Sequence, residues 1–173
     1  MGRPRARLSL KGRALQLLAQ RDQSRLELRG KLRRHAAAEA RALAAEADAV
    51  ADAGDDADAG DETGRRHAAV EALLDWLAAN RYLSAERFAE SRVHAREARF
   101  GNRRIRAELA QHGVALAPEV AEALDASELQ RAAAVRERRF REPPRDAAER
   151  AAQARFLAGR GFSFEVIQRL MRG

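Results

Sequence analysis

The chain writes one helical phrase three times, and that repetition constrains its fold more than any other feature. Ile105-Arg106-Ala107-Glu108-Leu109-Ala110-Gln111-His112-Gly113-Val114 is followed by Glu119-Val120-Ala121-Glu122-Ala123-Leu124. Further on, Gln153-Ala154-Arg155-Phe156-Leu157-Ala158-Gly159-Arg160-Gly161-Phe162 is followed by Glu165-Val166-Ile167-Gln168-Arg169-Leu170. The earliest version is Leu28-Arg29-Gly30-Lys31-Leu32-Arg33-Arg34-His35, with Val70-Glu71-Ala72-Leu73-Leu74 much later. A single helical unit of this size cannot cover its own apolar stripe, so neighbouring units must share the work. The expected fold is therefore all-α: an elongated array of three tandem three-helix repeats, about nine helices in all. Such an array offers a long surface for contact and argues against a deep catalytic pocket.

The boundaries follow from composition and capping signals. Residues 1–9 read as a basic, mobile arm, residues 10–83 as the first repeat, 84–126 as the second and 127–173 as the third. Ser24-Arg25-Leu26-Glu27 is a capping box that opens a helix with Leu28 and Leu32 on its buried edge. An Ala- and Asp-rich insertion at 36–64 interrupts the first repeat. Its first half is expected to extend the preceding helix, and Asp52 to Gly64 to form a solvated loop. Ser84 caps the helix of Phe88, Ala89 and Val93. Gly113 ends the Ile105/Leu109 helix in a left-handed turn. Pro118 opens a short helix, and a separate one is expected from about Ser127 to Phe140, before the Pro143-Pro144 break. Aligning the repeats makes Leu32, Leu109 and Leu157 equivalent, likewise Val70, Val120 and Val166, and Leu74, Leu124 and Leu170. Gly113 and Gly161 match at the turn.

Several function classes are disfavoured. Cysteine is absent, which excludes disulfides and thiolate metal sites and fits a reducing compartment. No apolar run approaches the roughly 20 residues of a membrane helix, and the basic N-terminus lacks the apolar stretch of a secretion signal. A cytoplasmic location with no membrane partner is expected. His35, His67, His94 and His112 fall in different helices with no acid at relay or ligand spacing; His35 and His112 are expected near helix ends, where the dipole favours them. No phosphate loop, nucleophile elbow or HExxH is present. The Asp cluster of the insertion lacks the ligand order of an EF-hand. The expectation is a protein that is not an enzyme, with no cofactor and no metal.

Charge is more telling. The net charge is +7, and only Lys11 and Lys31 among the basic residues are lysines. Arginine's planar fork suits phosphate and carboxylate groups. Residues 1–35 carry 11 basic and 2 acidic side chains, whereas residues 36–64 carry 1 and 9. Arg92, Arg96 and Arg99 recur on one helical face, and Arg103, Arg104 and Arg106 follow across the Gly101 turn. Together they form a basic stripe able to follow phosphates. Charge and repeat geometry add Arg25, Arg29 and Arg33 as contact candidates. The acidic insertion reads as a plain solvated linker; a second reading, from charge alone, folds it against the basic N-terminal segment of residues 1–35, where it competes with phosphates.

The run Asn80-Arg81-Tyr82-Leu83-Ser84-Ala85-Glu86-Arg87-Phe88-Ala89-Glu90-Ser91, continued by Phe100-Gly101-Asn102-Arg103-Arg104-Ile105-Arg106-Ala107-Glu108-Leu109, resembles the heart of the bacterial RecX family. Arg155-Phe156-Leu157-Ala158-Gly159-Arg160-Gly161-Phe162-Ser163-Phe164-Glu165-Val166-Ile167 is similar to that family's C-terminal motif, and Ala14 to Arg21 through Leu28 and Leu32 to its first repeat. The resemblance implies three tandem three-helix repeats that bind the RecA filament along its groove, around single-stranded DNA. It implies restraint of filament growth, strand exchange, ATP hydrolysis and RecA-stimulated repressor cleavage, by a protein expected to be a monomer. The acidic insertion departs from the family pattern. The alternative is an autonomous DNA-binding protein built of helix-turn-helix-like units, which would place a basic helix in the major groove.

Overall fold

The computed structural model describes residues 8–48 and 59–172, all helix and connection with no strand among them. Eight helices follow in order: α1 (Leu10–Gln20), α2 (Arg25–Asp48), α3 (Ala59–Ala79), α4 (Ala85–Glu97), α5 (Asn102–Gln111), α6 (Pro118–Phe140), α7 (Ala147–Gly159) and α8 (Phe164–Arg172). They divide into two compact units, parted between Ala85 and Glu86.

In the first unit, α1, α2 and α3 enclose Ala14, Leu17, Leu28, Leu32, Val70, Leu74, Leu77 and Leu83. Ser9 caps α1 by accepting from the Gly12 amide at 3.1 Å, and Ser24 caps α2 by accepting from the Glu27 amide at 3.0 Å. Each cap satisfies a helix-end donor that has no partner within the helix. The insertion is more helical than its composition implies. Thr63 and Gly64, expected in a loop, lie inside α3, which begins at Ala59. Asp61 and Glu62 sit in its first turn, where acidic side chains favour the helix dipole. Residues 49–58, and residues 1–7 of the basic arm, lie outside the described residues, and with them part of the second reading's pairing between the insertion and residues 1–35.

The second unit holds two cores that share one long helix. Phe88, Ala89, Val93, Ile105, Leu109 and Leu124 form the first. Ala132, Val135, Leu157, Phe162 and Ile167 form the second. The sequence reading breaks the chain near Ser127 and counts a ninth helix there; instead α6 runs unbroken through it. No glycine or proline lies between Leu124 and Val135, and the Ser127 hydroxyl donates back to the Leu124 carbonyl at 3.1 Å instead of capping a new helix. One end of α6 thus serves the first core and the middle serves the second. Leu32, Leu109 and Leu157 are all at most 1% exposed, as their repeat alignment requires. Val120, Val166 and Leu170 are only partly buried, so the valine row weakens beyond the first repeat, whereas the Leu74 row holds through buried Leu124 and weakens only in the third. Gly113 and Gly161 both adopt positive φ, at 67° and 82°, the left-handed turn a Cβ would strain. His112 is the C-cap of α5 and stands edge-on to Phe88, ring centroids 5.2 Å apart. His35, by contrast, lies within α2 rather than at its end.

Candidate interaction face

The arginine candidates divide into those tied up inside the fold and those presented on it. Along α2, Arg25, Arg29 and Arg33 recur every fourth residue and converge on Glu71 of α3. The Arg29 Nε lies 2.8 Å from its carboxylate, the Arg33 amino group 3.1 Å and the Arg25 amino group 3.2 Å. Arg25 also meets Asp75 at 2.7 Å. The sequence places these three on one face; the structure shows that a carboxylate from the facing helix already occupies them. Burial works against ionisation of Glu71, but hydrogen bonds from Arg25 and Arg29 outweigh it and hold the carboxyl below its usual range. A carboxylate with a depressed folded pKa contributes stability that is complete above its unfolded value, about 4.3 for Glu, and lost as pH falls through the lower folded value. E71Q is therefore expected to destabilise the first unit at neutral pH by no more than ~1 kcal/mol, because 32% of the side chain meets solvent. Its melting temperature should also fall less steeply than the parent's as pH drops below about 5. Parallel melting curves against pH for the two proteins would contradict this.

The second unit carries the presented arginines, positioned by a polar joint at the α4–α5 and α7–α8 turns. Backbone meets backbone here: the Gly101 amide donates to the Arg160 carbonyl and the Arg103 amide to the Gly161 carbonyl, both at 3.0 Å. Such an approach leaves no room for a side chain, and a Cβ on Gly101 would lie 2.2 Å from the Phe162 nitrogen. Glu128, only 4% exposed, rises from α6 between the two turns. Its carboxylate accepts from the Asn102 amide at 2.9 Å, the Ser163 amide at 3.2 Å and the Ser163 hydroxyl at 2.9 Å. One carboxylate thus receives amides from the N-terminal ends of both α5 and α8, where the helix dipoles favour an anion.

Arg131, one turn along α6, closes the C-terminal end of α4. Its guanidinium donates to the carbonyls of Glu97 (3.2 Å), Phe100 (2.9 Å) and Leu124 (2.9 Å). It also reaches Asn102 Oδ1 at 2.5 Å and the Ser127 hydroxyl at 3.1 Å. Burial lowers the pKa of Arg131 from the ordinary guanidinium value, while Glu128, Glu97 and Asp125 oppose that shift. Asn102 adds bonds from its side-chain amide to the Leu124 carbonyl and to Asp125.

On this joint stands the basic stripe. Arg96, Arg99 and Arg104 gather around the ring of Phe100, their guanidinium carbons 5.9, 5.6 and 4.2 Å from its centroid, within reach of cation–π attraction. Glu108 is the acid at this cluster, 3.0 Å from Arg96 and 3.5 Å from Arg104. Arg106 is bound to Asp125 at 2.8 Å. Its hydrogen bond, followed by one from Asn102, lowers the Asp125 pKa against the opposing effect of burial. Arg92 lies over Phe88, 5.2 Å from the centroid. The Arg99, Arg103 and Arg104 side chains are exposed.

Sequence reasoning missed Glu128, Arg131 and a further group, Arg138, Arg139 and Arg160. The signal for Glu128 was present: it interrupts the apolar line of Leu124, Ala132 and Val135 at helical spacing, so an acid sits where burial demands a hydrophobic residue. Dividing α6 into two helices hid that line. Among the described residues no cluster of His, Asp or Glu is arranged to hold a metal ion, and no helix there is long and apolar enough to cross a membrane.

Fold and face together define a tandem three-helix-domain protein that presents an arginine surface. Residues 86–124 match the family description RecX, second three-helix domain, and residues 126–171 match RecX, third three-helix domain. The join between the two matches falls within α6. Regulatory protein RecX of Ralstonia nicotianae is 45% identical, covering 100% of this chain and 92% of the relative. That of Herbaspirillum seropedicae is 45% identical over 95% of this chain and 90% of its own, and that of Ralstonia pickettii 41% over 98% and 91%. The crystal structure of RecX from Lactobacillus salivarius superposes with a TM-score of 0.60 over 94% of this chain and 92% of its own; at 17% identity this is a likeness of fold. The chain belongs to the RecX family of regulatory proteins.

Proposed function

We propose that this protein binds RecA nucleoprotein filaments and restrains the recombinase, ATPase and coprotease activities of RecA in DNA repair and the SOS response. It does so as a cytoplasmic monomer that carries out no chemistry of its own. The observation that carries this reading is the likeness to regulatory RecX proteins along the whole chain, in a fold whose presented chemistry is a cluster of guanidinium groups. Contact centres on Arg99, Arg103 and Arg104, with Arg92 beside them. Arg96 and Arg106 contribute their field while held by Glu108 and Asp125. Arg25, Arg29 and Arg33 offer only what their network with Glu71 leaves exposed. Phosphates of the strand inside a filament, or acidic side chains of its subunits, complement such a surface.

The double charge reversal R103E/R104E tests the face. It is expected to raise the concentration needed for half-inhibition of RecA ATPase about tenfold or more, since like-charge juxtaposition at an interface costs several kcal/mol. Undiminished inhibition by a folded double variant would remove both residues from the contact.

A further inference from the structure

Beside the Phe100 cluster lies a recess of about 240 Å³ lined by Arg99, Arg138, Arg139 and Arg160 around Val135 and Phe156. Four arginines from three parts of the chain line one small space, with no carboxylate in its lining. Each acid-bound arginine described above has a partner within 4 Å; none of these four is ion-paired among the described residues. Instead they are held by the fold. The Arg138 guanidinium donates to the Ala98 carbonyl at the end of α4, and Arg160 donates to the Arg99 carbonyl at 3.3 Å. Arg139 lies over Phe140 and Arg160 over Phe156, 5.3 and 4.6 Å from the ring centroids. The Arg160 Nε is buried and finds no acceptor among the described residues. A buried donor without a partner is costly, and here it belongs to an arginine that lines the recess.

We propose that these four arginines seat one backbone phosphate of a single-stranded nucleic acid, with its sugar against Val135 and Phe156. This rests on the reading that the protein works on a nucleoprotein filament. The recess is smaller than the roughly 300–1,000 Å³ of pockets that enclose whole small-molecule ligands, so it suits one unit of a polymer. Four arginines around one recess suit a tetrahedral phosphate, which accepts donors from several directions; Glu71, which gathers three arginines, shows that number alone does not exclude a carboxylate, and the peptide arm of the test separates the two. The tract continues past the recess. Arg104 abuts Gly161, whose Cβ position lies 2.5 Å from the Arg104 Cβ, and Arg103 follows Gly101 by two residues. A ligand with charges repeating along its length fits that continuity.

The test uses the intact protein and a fluorescently labelled oligothymidylate, with anisotropy read across a salt titration. R99Q/R139Q is expected to weaken binding about tenfold or more near 0.1 M salt and to lower the slope of log affinity against log salt by about 1. R139Q alone, whose guanidinium makes no hydrogen bond within the described fold, should move both quantities in the same direction. Unchanged affinity and slope in both variants would overturn the seat. So would a labelled polyglutamate peptide that binds as tightly as the oligonucleotide and is lost equally in the double variant, which would assign the recess to acidic peptides. Variant-sensitive oligonucleotide binding, in a parent protein that leaves RecA ATPase untouched, would uphold the seat and count against the filament reading instead.

Discussion

Replacing Gly101 with alanine is expected to destabilise the second unit by at least ~3 kcal/mol, above the 1–3 typical of an extra methylene in a packed core. The added Cβ would stand 2.2 Å from the Phe162 nitrogen, 2.3 Å from its Cα and 2.4 Å from the Gly161 carbonyl carbon. All three are backbone atoms, so no side-chain rotation relieves the contact. The Gly101 φ of −81° is open to any residue, which leaves the steric contact as the cause. Relief requires the two turns to part, and parting them breaks the bonds from Gly101 to Arg160 and from Arg103 to Gly161. Since small domains are stable by only about 5–15 kcal/mol, such a loss is a large share of the total. Denaturant unfolding of G101A beside the parent measures it. A midpoint within experimental error of the parent's would show that the turns do not approach as described.

Removing the Glu128 carboxylate should be about as damaging. E128A would leave the Asn102 and Ser163 amides without their buried acceptor and strip a compensating charge from beside Arg131. Breaking a buried charged network from one side costs roughly 3–5 kcal/mol. E128Q separates the two contributions. Its amide oxygen can still accept from both backbone amides while the charge is lost, so about half the effect should return. Equal losses in E128A and E128Q would assign the whole effect to charge. Hydrogen exchange at the Asn102 and Ser163 amides provides a second reading, because both should lose protection together in E128A.

What the sequence discloses and what it withholds divide along the range of the interactions. Leu32, Leu109 and Leu157, and the left-handed turns at Gly113 and Gly161, are legible because they arise from helical period and local backbone geometry. The charge period of α2 correctly aligns Arg25, Arg29 and Arg33. It cannot show that Glu71, 38 residues beyond Arg33, reaches them from α3. The Arg99–Arg160 recess is hidden for the same reason, since its members lie up to 61 residues apart. The unbroken α6 is a different kind of miss. Serine at 127 has the chemistry of a cap, yet within a sequence free of glycine and proline its hydroxyl bonds backward and the helix continues. That one misplaced boundary also conceals Glu128, whose burial makes sense only on a continuous helix shared by two cores.

The most direct test of regulation through the RecA filament is RecA ATPase on single-stranded DNA, titrated with this protein at physiological salt. The expected result is inhibition at well below one molecule per RecA subunit, weakened by R103E/R104E. Unaffected ATPase, together with tight binding to bare duplex DNA in the same buffer, would contradict filament regulation and make this an autonomous DNA-binding protein.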